Sequence, residues 1–206
     1  MSAASSPTSP APATPPIPPK RYRYDPADLW TPANIVTLLR VAAAPLAFWM
    51  MHTTENSSSW PLAFVWFALS SSDYLDGTLA RRHGPTRAGA FLDPLADKVL
   101  VWGGVGVMCL EGRFPWIAWM LIVGRDLAVS VFRSYYARRG LAVPASKLAK
   151  WKAFLQLAAV GWVTLPWTNE ELWLADVTLW IGIAAGIVSG AQYFRDGSRA
   201  ATTMAR

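Results

Sequence analysis

The chain has 206 residues, of which 53% are hydrophobic and only 16% are charged, and its mean hydropathy is +0.24. An average soluble domain is about 45–50% apolar and about 25% charged, so this composition argues against a disordered, a collagen-like or a soluble globular protein. A single cysteine, Cys109, excludes an intramolecular disulfide and a cysteine-rich metal site. The formal net charge of +6 indicates anionic headgroups or an anionic substrate as partners, rather than nucleic acid.

The N-terminal residues 1–24 are predicted to be a disordered cytoplasmic tail. Seven prolines and no charged side chain occur in Met1–Pro19, which therefore cannot form a core. No short apolar region with a cleavage site precedes the basic residues that follow, so no signal peptide is predicted. Residues 25–30 are typical of a short juxtamembrane helix, with Leu29 and Trp30 as interfacial anchors.

Six apolar stretches follow, each close to the roughly 20 residues that a transmembrane helix requires. Short gaps rich in turn-forming residues separate them. We therefore predict an all-α integral membrane protein, with a six-transmembrane-helix domain over residues 25–196 and a short basic tail over 197–206. The predicted spans are 33–52, 60–81, 89–110, 114–137, 147–168 and 172–194.

The charges of the loops alternate in the way that six spans require. Basic residues concentrate in the N-terminal segment, in the second and fourth loops and in the C-terminal segment, while Arg113 is the one basic residue of the other loops. By the positive-inside rule, both termini and the basic loops are cytoplasmic. The predicted location is therefore the cell membrane, with multiple passes and with the active site facing the cytoplasm.

Four aspartates are spaced so that two antiparallel helices would direct them at one another near the cytoplasmic ends of the second and third spans. Spacings of three and four residues place side chains on one helix face. The shared face of the second span holds Asp73, Asp76, Gly77 and Ala80, and that of the third holds Gly89, Asp93 and Asp97.

Such a cluster needs compensation, because inserting one aspartate at a helix centre costs about 2.5–3.5 kcal/mol and like charges repel. Hard divalent cations with oxygen ligands supply it, and two such ions suit displacement at phosphorus. Gly77 and Ala80 leave room for a ligand beside the backbone, and Arg81 can pair with a phosphate. The alternative interpretation is that the aspartates form salt bridges with nearby arginines and Lys98.

Between Asp73 and Asp97 the chain reads D-x2-D-G-x2-A-R-x7-G-x3-D-x3-D. This run resembles the signature of the CDP-alcohol phosphotransferases, integral membrane enzymes of phospholipid synthesis. The resemblance implies a homodimer of six-helix bundles with two Mg²⁺ or Mn²⁺ ions, and it implies that Asp97 is also the general base. The metal ligands that it implies are Asp73, Asp76, Asp93 and Asp97. The CDP-binding residues that it implies are Asp73, Gly77, Ala80, Arg81, Thr86 and Gly89.

Residues 31–45 and 89–98 further resemble the phosphatidylglycerophosphate synthases and the related cardiolipin synthases of that family. This resemblance implies transfer of the phosphatidyl group of CDP-diacylglycerol to sn-glycerol 3-phosphate, with release of CMP. A cardiolipin synthase, with phosphatidylglycerol as the acceptor, and a phosphatidylinositol phosphate synthase are the alternatives within the family. A non-enzymatic cation channel or transporter is the alternative from another class.

Basic residues in the later spans are candidates for binding the acceptor phosphate. Arg125 and Arg133 are eight residues apart, about two turns along one helix face, and Lys150 and Lys152 begin the fifth span. For the lysines, anchoring at the membrane surface is the alternative. Arg40, within the first span, faces the site or pairs with an acidic residue.

The last predicted span carries three glycines at intervals of four residues. These are Gly182, Gly186 and Gly190, a pattern that indicates close packing against another helix rather than chemistry.

Overall fold

The computed structural model describes residues 30–83, 87–138, 147–168 and 171–204, and within these ranges every regular element is a helix. A short 3₁₀ turn, Glu55–Ser57, follows the first helix. The predicted tail 1–24 and residues 25–29 of the predicted juxtamembrane helix lie outside these ranges. The six helices are α1 (Pro32–Thr53), α2 (Trp60–His83), α3 (Arg87–Leu110), α4 (Trp116–Arg138), α5 (Lys147–Thr164) and α6 (Trp173–Met204).

Local sequence explains where individual helices begin and end. The Thr31 side chain accepts a hydrogen bond from the Asn34 backbone N–H at 3.3 Å, and Pro32 occupies the first turn, so α1 begins with a side-chain cap. Gly112 follows the end of α3 with φ +70°, a left-handed conformation that glycine adopts without steric cost.

The six predicted spans correspond to the six helices, with differences at the last two. α5 ends at Thr164, four residues before the predicted end of its span, and α6 continues to Met204. The segment after residue 194 is polar but contains no proline, so nothing in its backbone interrupts the helix. Residues 197–204, which the sequence assigned to a tail, are therefore helical.

The middle of the bundle is an apolar core. Trp66, Leu100, Met108 and Leu179 are almost completely buried within it. The indole N–H of Trp66 donates to the backbone carbonyl of Leu157 at 3.0 Å, which satisfies the one polar group of this side chain. Packing of α5 on α6, and of α1 on α2 and α3, encloses this core.

Large apolar side chains also cover the outside of the bundle, including Phe64, Val131 and Phe154. Within the described residues, α1 and the segment Trp173–Arg195 of α6 are long and apolar enough to cross a membrane by length and composition. Charged residues within the other four helices, such as Asp97 in α3, lower their hydropathy. The all-helical, six-helix prediction is thus confirmed for the described residues, whereas membrane crossing by all six helices stays a prediction.

Candidate functional site

Polar contacts between helices concentrate at one end of the bundle. Thr37 of α1 donates a hydrogen bond to Asp93 of α3 at 3.2 Å, and Lys98 of α3 donates to Ser130 of α4 at 2.8 Å. These contacts join the N-terminal halves of α1 and α3 to each other and to the C-terminal half of α4. The candidate site is therefore built where the first halves of odd-numbered helices meet the second halves of even-numbered ones.

Arg40 joins three helices at this end. Its side chain is completely buried, and Nε donates to Ser72 Oγ of α2 at 2.8 Å. Its Nη1 atom lies 3.6 Å from Oδ1 of Asp97 on α3. Arg40 thus pairs with an acidic residue and belongs to the site. It also connects Asp97 of α3 to Ser72 of α2, the residue that precedes Asp73.

The structure describes two of the four predicted metal ligands. Asp93 and Asp97 are partly exposed and lie one turn apart on α3, and the Asp97 side chain is 46% exposed. Gly89 is buried in the first turn of the same helix. Among the described side chains no three His, Cys, Asp or Glu residues form a group. Outside the described side chains lie Asp73, Asp76, Gly77, Ala80, Arg81, Thr86 and Lys150, whose roles stay predictions.

A second polar cluster is centred on Asp126 of α4, which is 7% exposed. Its Oδ1 accepts hydrogen bonds from Arg125 Nη1 at 2.9 Å and from Lys152 Nζ of α5. Its Oδ2 accepts a longer one from the indole N–H of Trp102, at 3.4 Å. One buried carboxylate therefore holds two cations side by side, and neutralises only one of their two charges.

The glycines of α6 provide the surface against which these cations lie. Arg125 Nε donates to the Gly186 carbonyl at 2.8 Å, and Nη2 donates to Ser189 Oγ at 2.6 Å. A Cβ at Gly186 would lie 3.5 Å from Cδ of Lys152, and one at Gly190 would lie 3.4 Å from Nε of Arg125. The predicted close packing of these glycines is confirmed, and their packing partners include the cations of the site.

The two clusters border one cavity of ≈ 230 Å³, which brings Asp97 together with the predicted acceptor residues Arg125, Arg133 and Lys152. Four cationic and two acidic side chains are among the described residues that line it, so the lining carries excess positive charge. Its charged lining residues are Asp97, Lys98, Arg125, Asp126, Arg133 and Lys152.

Sequence reasoning did not identify Asp126, Gln156 and Ser189 as site residues, although all three line the cavity. Asp126 is adjacent to Arg125 in the sequence, and no spacing of its own marks it as a site residue. Gln156 follows Lys152 by four residues, which is the spacing of one helix face, and this signal could have identified it. No spacing in the sequence relates Ser189 to another site residue, because its contact with Arg125 arises only from the packing of α6 against α4.

These features define a class of all-helical protein in which two aspartates of one helix, α3, and a cationic cavity lie at the same end of a bundle. The sequence profile of the CDP-alcohol phosphatidyltransferase family matches residues 30–188, so it covers the first five helices and the first half of α6. The chain belongs to the CDP-alcohol phosphatidyltransferase family, which confirms the resemblance drawn from the aspartate motif.

Individual relatives resemble the chain over most of its length. A probable phosphatidylglycerophosphate synthase of Mycobacterium tuberculosis is 34% identical over 165 residues, covering 78% of each chain. A CDP-diacylglycerol–glycerol-3-phosphate 3-phosphatidyltransferase of Bacillus subtilis is 34% identical over 179 residues, covering 78% of this chain and 92% of the relative. One of the same name from Rickettsia bellii is 30% identical and covers 79% and 92%.

Proposed function

We propose that this protein is a CDP-diacylglycerol–glycerol-3-phosphate 3-phosphatidyltransferase. It transfers the phosphatidyl group of CDP-diacylglycerol to sn-glycerol 3-phosphate in phospholipid biosynthesis and releases CMP. The observation that carries the proposal is the cavity that Asp97 shares with Arg125, Arg133 and Lys152. A carboxylate that can accept a proton and cations that can bind a phosphate thus face the same small volume. The names of the relatives agree with this reaction.

The cavity favours a small dianion as the acceptor. Pockets for drug-sized ligands measure about 300–1,000 Å³, whereas this one measures ≈ 230 Å³. Its described lining has two more cationic than acidic side chains, which matches the two negative charges of a phosphate monoester. Arg125 presents a guanidinium whose planar donors suit phosphate oxygens.

The reaction needs one proton transfer and one displacement. Asp97 accepts the proton of the acceptor 1-hydroxyl, whose oxygen then attacks the phosphorus that carries diacylglycerol. The new P–O ester bond forms as the phosphoanhydride bond to CMP breaks, and CMP leaves with the electron pair of that bond. Arg125, Arg133 and Lys152 hold the acceptor phosphate, so most of the catalysis comes from positioning and from charge neutralisation.

Asp93 and Asp97 would bind divalent metal ions together with Asp73 and Asp76. The two described ligands offer only carboxylate oxygens, one turn apart on α3, and this donor set suits Mg²⁺ or Mn²⁺. When bound, the ions would neutralise charge on the pyrophosphate of CDP-diacylglycerol. Thr37 donates a hydrogen bond to Asp93 and Arg40 pairs with Asp97, so contacts from α1 orient both carboxylates.

We further propose that all six helices cross the cell membrane, with both termini and the site on the cytoplasmic side. The apolar side chains on the outer surfaces of α2, α4 and α5 support this arrangement, because exposing so much apolar surface to water would be unfavourable. CDP-diacylglycerol would then reach the site from the lipid, and the nucleotide would lie along residues 73–81 of α2. The homodimer implied by the resemblance stays part of this proposal.

The experiment is an assay of the purified protein with labelled CDP-diacylglycerol and each acceptor in turn, with the lipid product identified. With glycerol 3-phosphate we expect phosphatidylglycerophosphate and an equal amount of CMP. A chelator should abolish both, and added Mg²⁺ or Mn²⁺ should restore them.

Other outcomes would contradict the proposal. Turnover with phosphatidylglycerol alone would indicate a cardiolipin synthase, and turnover with inositol phosphate alone would indicate a phosphatidylinositol phosphate synthase. Cation flux through proteoliposomes without CMP release under any condition would indicate the channel or transporter.

A further inference from the structure

Gln156 is a buried amide whose side-chain oxygen lacks a hydrogen-bond partner among the described residues. Its side chain lies on α5 one turn after Lys152 and is 2% exposed. The Oε1 atom is buried and accepts no hydrogen bond from any described residue. Because a buried acceptor without a partner is costly, this oxygen is unusual in the interior of a helix bundle.

The position of Gln156 points to a ligand as the missing partner. Its side chain lines the cavity that holds Asp97 and Arg125, at the boundary with the apolar core of the bundle. On the other side it packs against Gly182 of α6, where an added Cβ would come within 3.3 Å of Gln156 Cγ. The absence of a side chain at Gly182 thus lets the stem of Gln156 pack closely against α6.

The chemistry of the proposed acceptor restricts what this oxygen can bind. An amide oxygen accepts hydrogen bonds, and a phosphate dianion has none to donate. The proton of the attacked 1-hydroxyl goes to Asp97 in the proposed reaction. The 2-hydroxyl of glycerol 3-phosphate is therefore the donor that remains.

We infer that Gln156 is a specificity-determining residue that accepts a hydrogen bond from the acceptor 2-hydroxyl. This inference rests on the proposed function, since it names the group that the same cavity recognises. It makes Gln156 the residue by which the enzyme selects glycerol 3-phosphate over a phosphate ester that has only the reactive hydroxyl. Arg125 and Lys152 cannot make this distinction, because both esters carry the same phosphate.

The test compares glycerol 3-phosphate with 3-hydroxypropyl phosphate, which keeps the attacked hydroxyl and the phosphate but lacks the 2-hydroxyl. A site built to bind a hydroxyl discriminates strongly against an analogue without it. For the unmodified protein we expect kcat/KM to be at least about 100-fold higher with glycerol 3-phosphate. In Gln156→Met, which keeps length and volume, the preference should fall below about tenfold, chiefly through loss of activity on glycerol 3-phosphate.

Thr164→Val is the matched control, because Thr164 is a buried polar residue of the same helix at the other end of the bundle. It should keep the discrimination of the unmodified protein. The affinity for CDP-diacylglycerol should be the same in all three proteins.

Two results would overturn the inference. One is an unmodified protein that uses both esters equally well, a measurement that does not depend on the folding of any variant. The other is an equal loss on both esters in Gln156→Met, which would mean that the amide serves the phosphate or the fold. If glycerol 3-phosphate is not a substrate at all, the proposed function fails instead, so the two failures are distinguishable.

Discussion

Asp126→Asn should destabilise the protein strongly, although it replaces only one carboxylate oxygen by an NH₂ group. In the structure Oδ1 of Asp126 accepts from both Arg125 and Lys152, while Oδ2 accepts from the Trp102 indole. An asparagine oxygen at the Oδ1 position would leave its NH₂ group facing the Trp102 N–H, so two donors would meet. The variant therefore loses one hydrogen bond and leaves two cations without a counter-charge.

The magnitude follows from the burial of the group. Removing one partner of a buried ion pair costs about 3–5 kcal/mol, because the remaining charge is left uncompensated. For a chain of this size each kcal/mol lowers Tm by about 2–4 °C, so Asp126→Asn should lower Tm by about 6–20 °C. Asp176→Asn is the matched control, since Asp176 lies in the first turn of α6 at the opposite end of the bundle. There the loss is a helix-dipole interaction of about 0.3–1 kcal/mol.

The assay is thermal unfolding of the detergent-solubilised protein, with and without inorganic phosphate. An anion in the cavity would replace part of the missing negative charge, so phosphate should raise the Tm of Asp126→Asn more than that of the unmodified protein. A decrease in Tm no larger than that of Asp176→Asn would refute the reasoning. It would show that the negative charge of Asp126 is not needed beside the two cations.

Three further changes test the site and the topology. Asp97→Asn should lower kcat by about 100- to 10,000-fold in folded protein, because it removes the proposed base and a proposed metal ligand. Initial rates measure this effect, and a variant that retains more than about a tenth of the activity would exclude Asp97 as the base. Arg125→Ala should raise KM for glycerol 3-phosphate by about 10- to 150-fold, the equivalent of a charged hydrogen bond, and leave CDP-diacylglycerol affinity nearly unchanged. An equal loss of affinity for both substrates would contradict the assignment. A reporter inserted near Asn56 or Asn169 should be outside the cell and one at either terminus inside, and the reverse result at either loop would contradict the six-span topology.

The helices could be predicted from the sequence because each one is a long apolar stretch bounded by turn residues. The end of α6 could not be predicted in this way. The hydropathy of the sequence shows where a helix leaves the apolar core, but not where its backbone hydrogen bonding stops. Met204 is still helical, ten residues after the predicted end of the span near 194. Propensity and the absence of proline decide that boundary, and neither is a membrane signal.

The site could be predicted only where its residues share one helix. Arg125 and Arg133 are eight residues apart, so their common face was evident, and both line the cavity. Asp126 differs by about 100° in direction from Arg125 on an ideal helix, and the sequence offered no reason to place both at one site. Contacts from α5 and α6 decide that question, because Lys152 binds Asp126 while Ser189 binds Arg125.

α3 is the element through which the two halves of the site are held at a fixed distance. On one side Asp97 contacts Arg40, which in turn donates a hydrogen bond to Ser72, the residue before the segment of α2 that is proposed to bind the nucleotide. On the other side Asp97 lines the cavity with Arg125, Arg133 and Lys152, the cations that are proposed to bind the acceptor. The rest of α3 is anchored in the core by Leu100 and Val105, both almost completely buried. Because a packed core yields little to small forces, this anchoring holds the proposed base between the proposed sites of the two substrates.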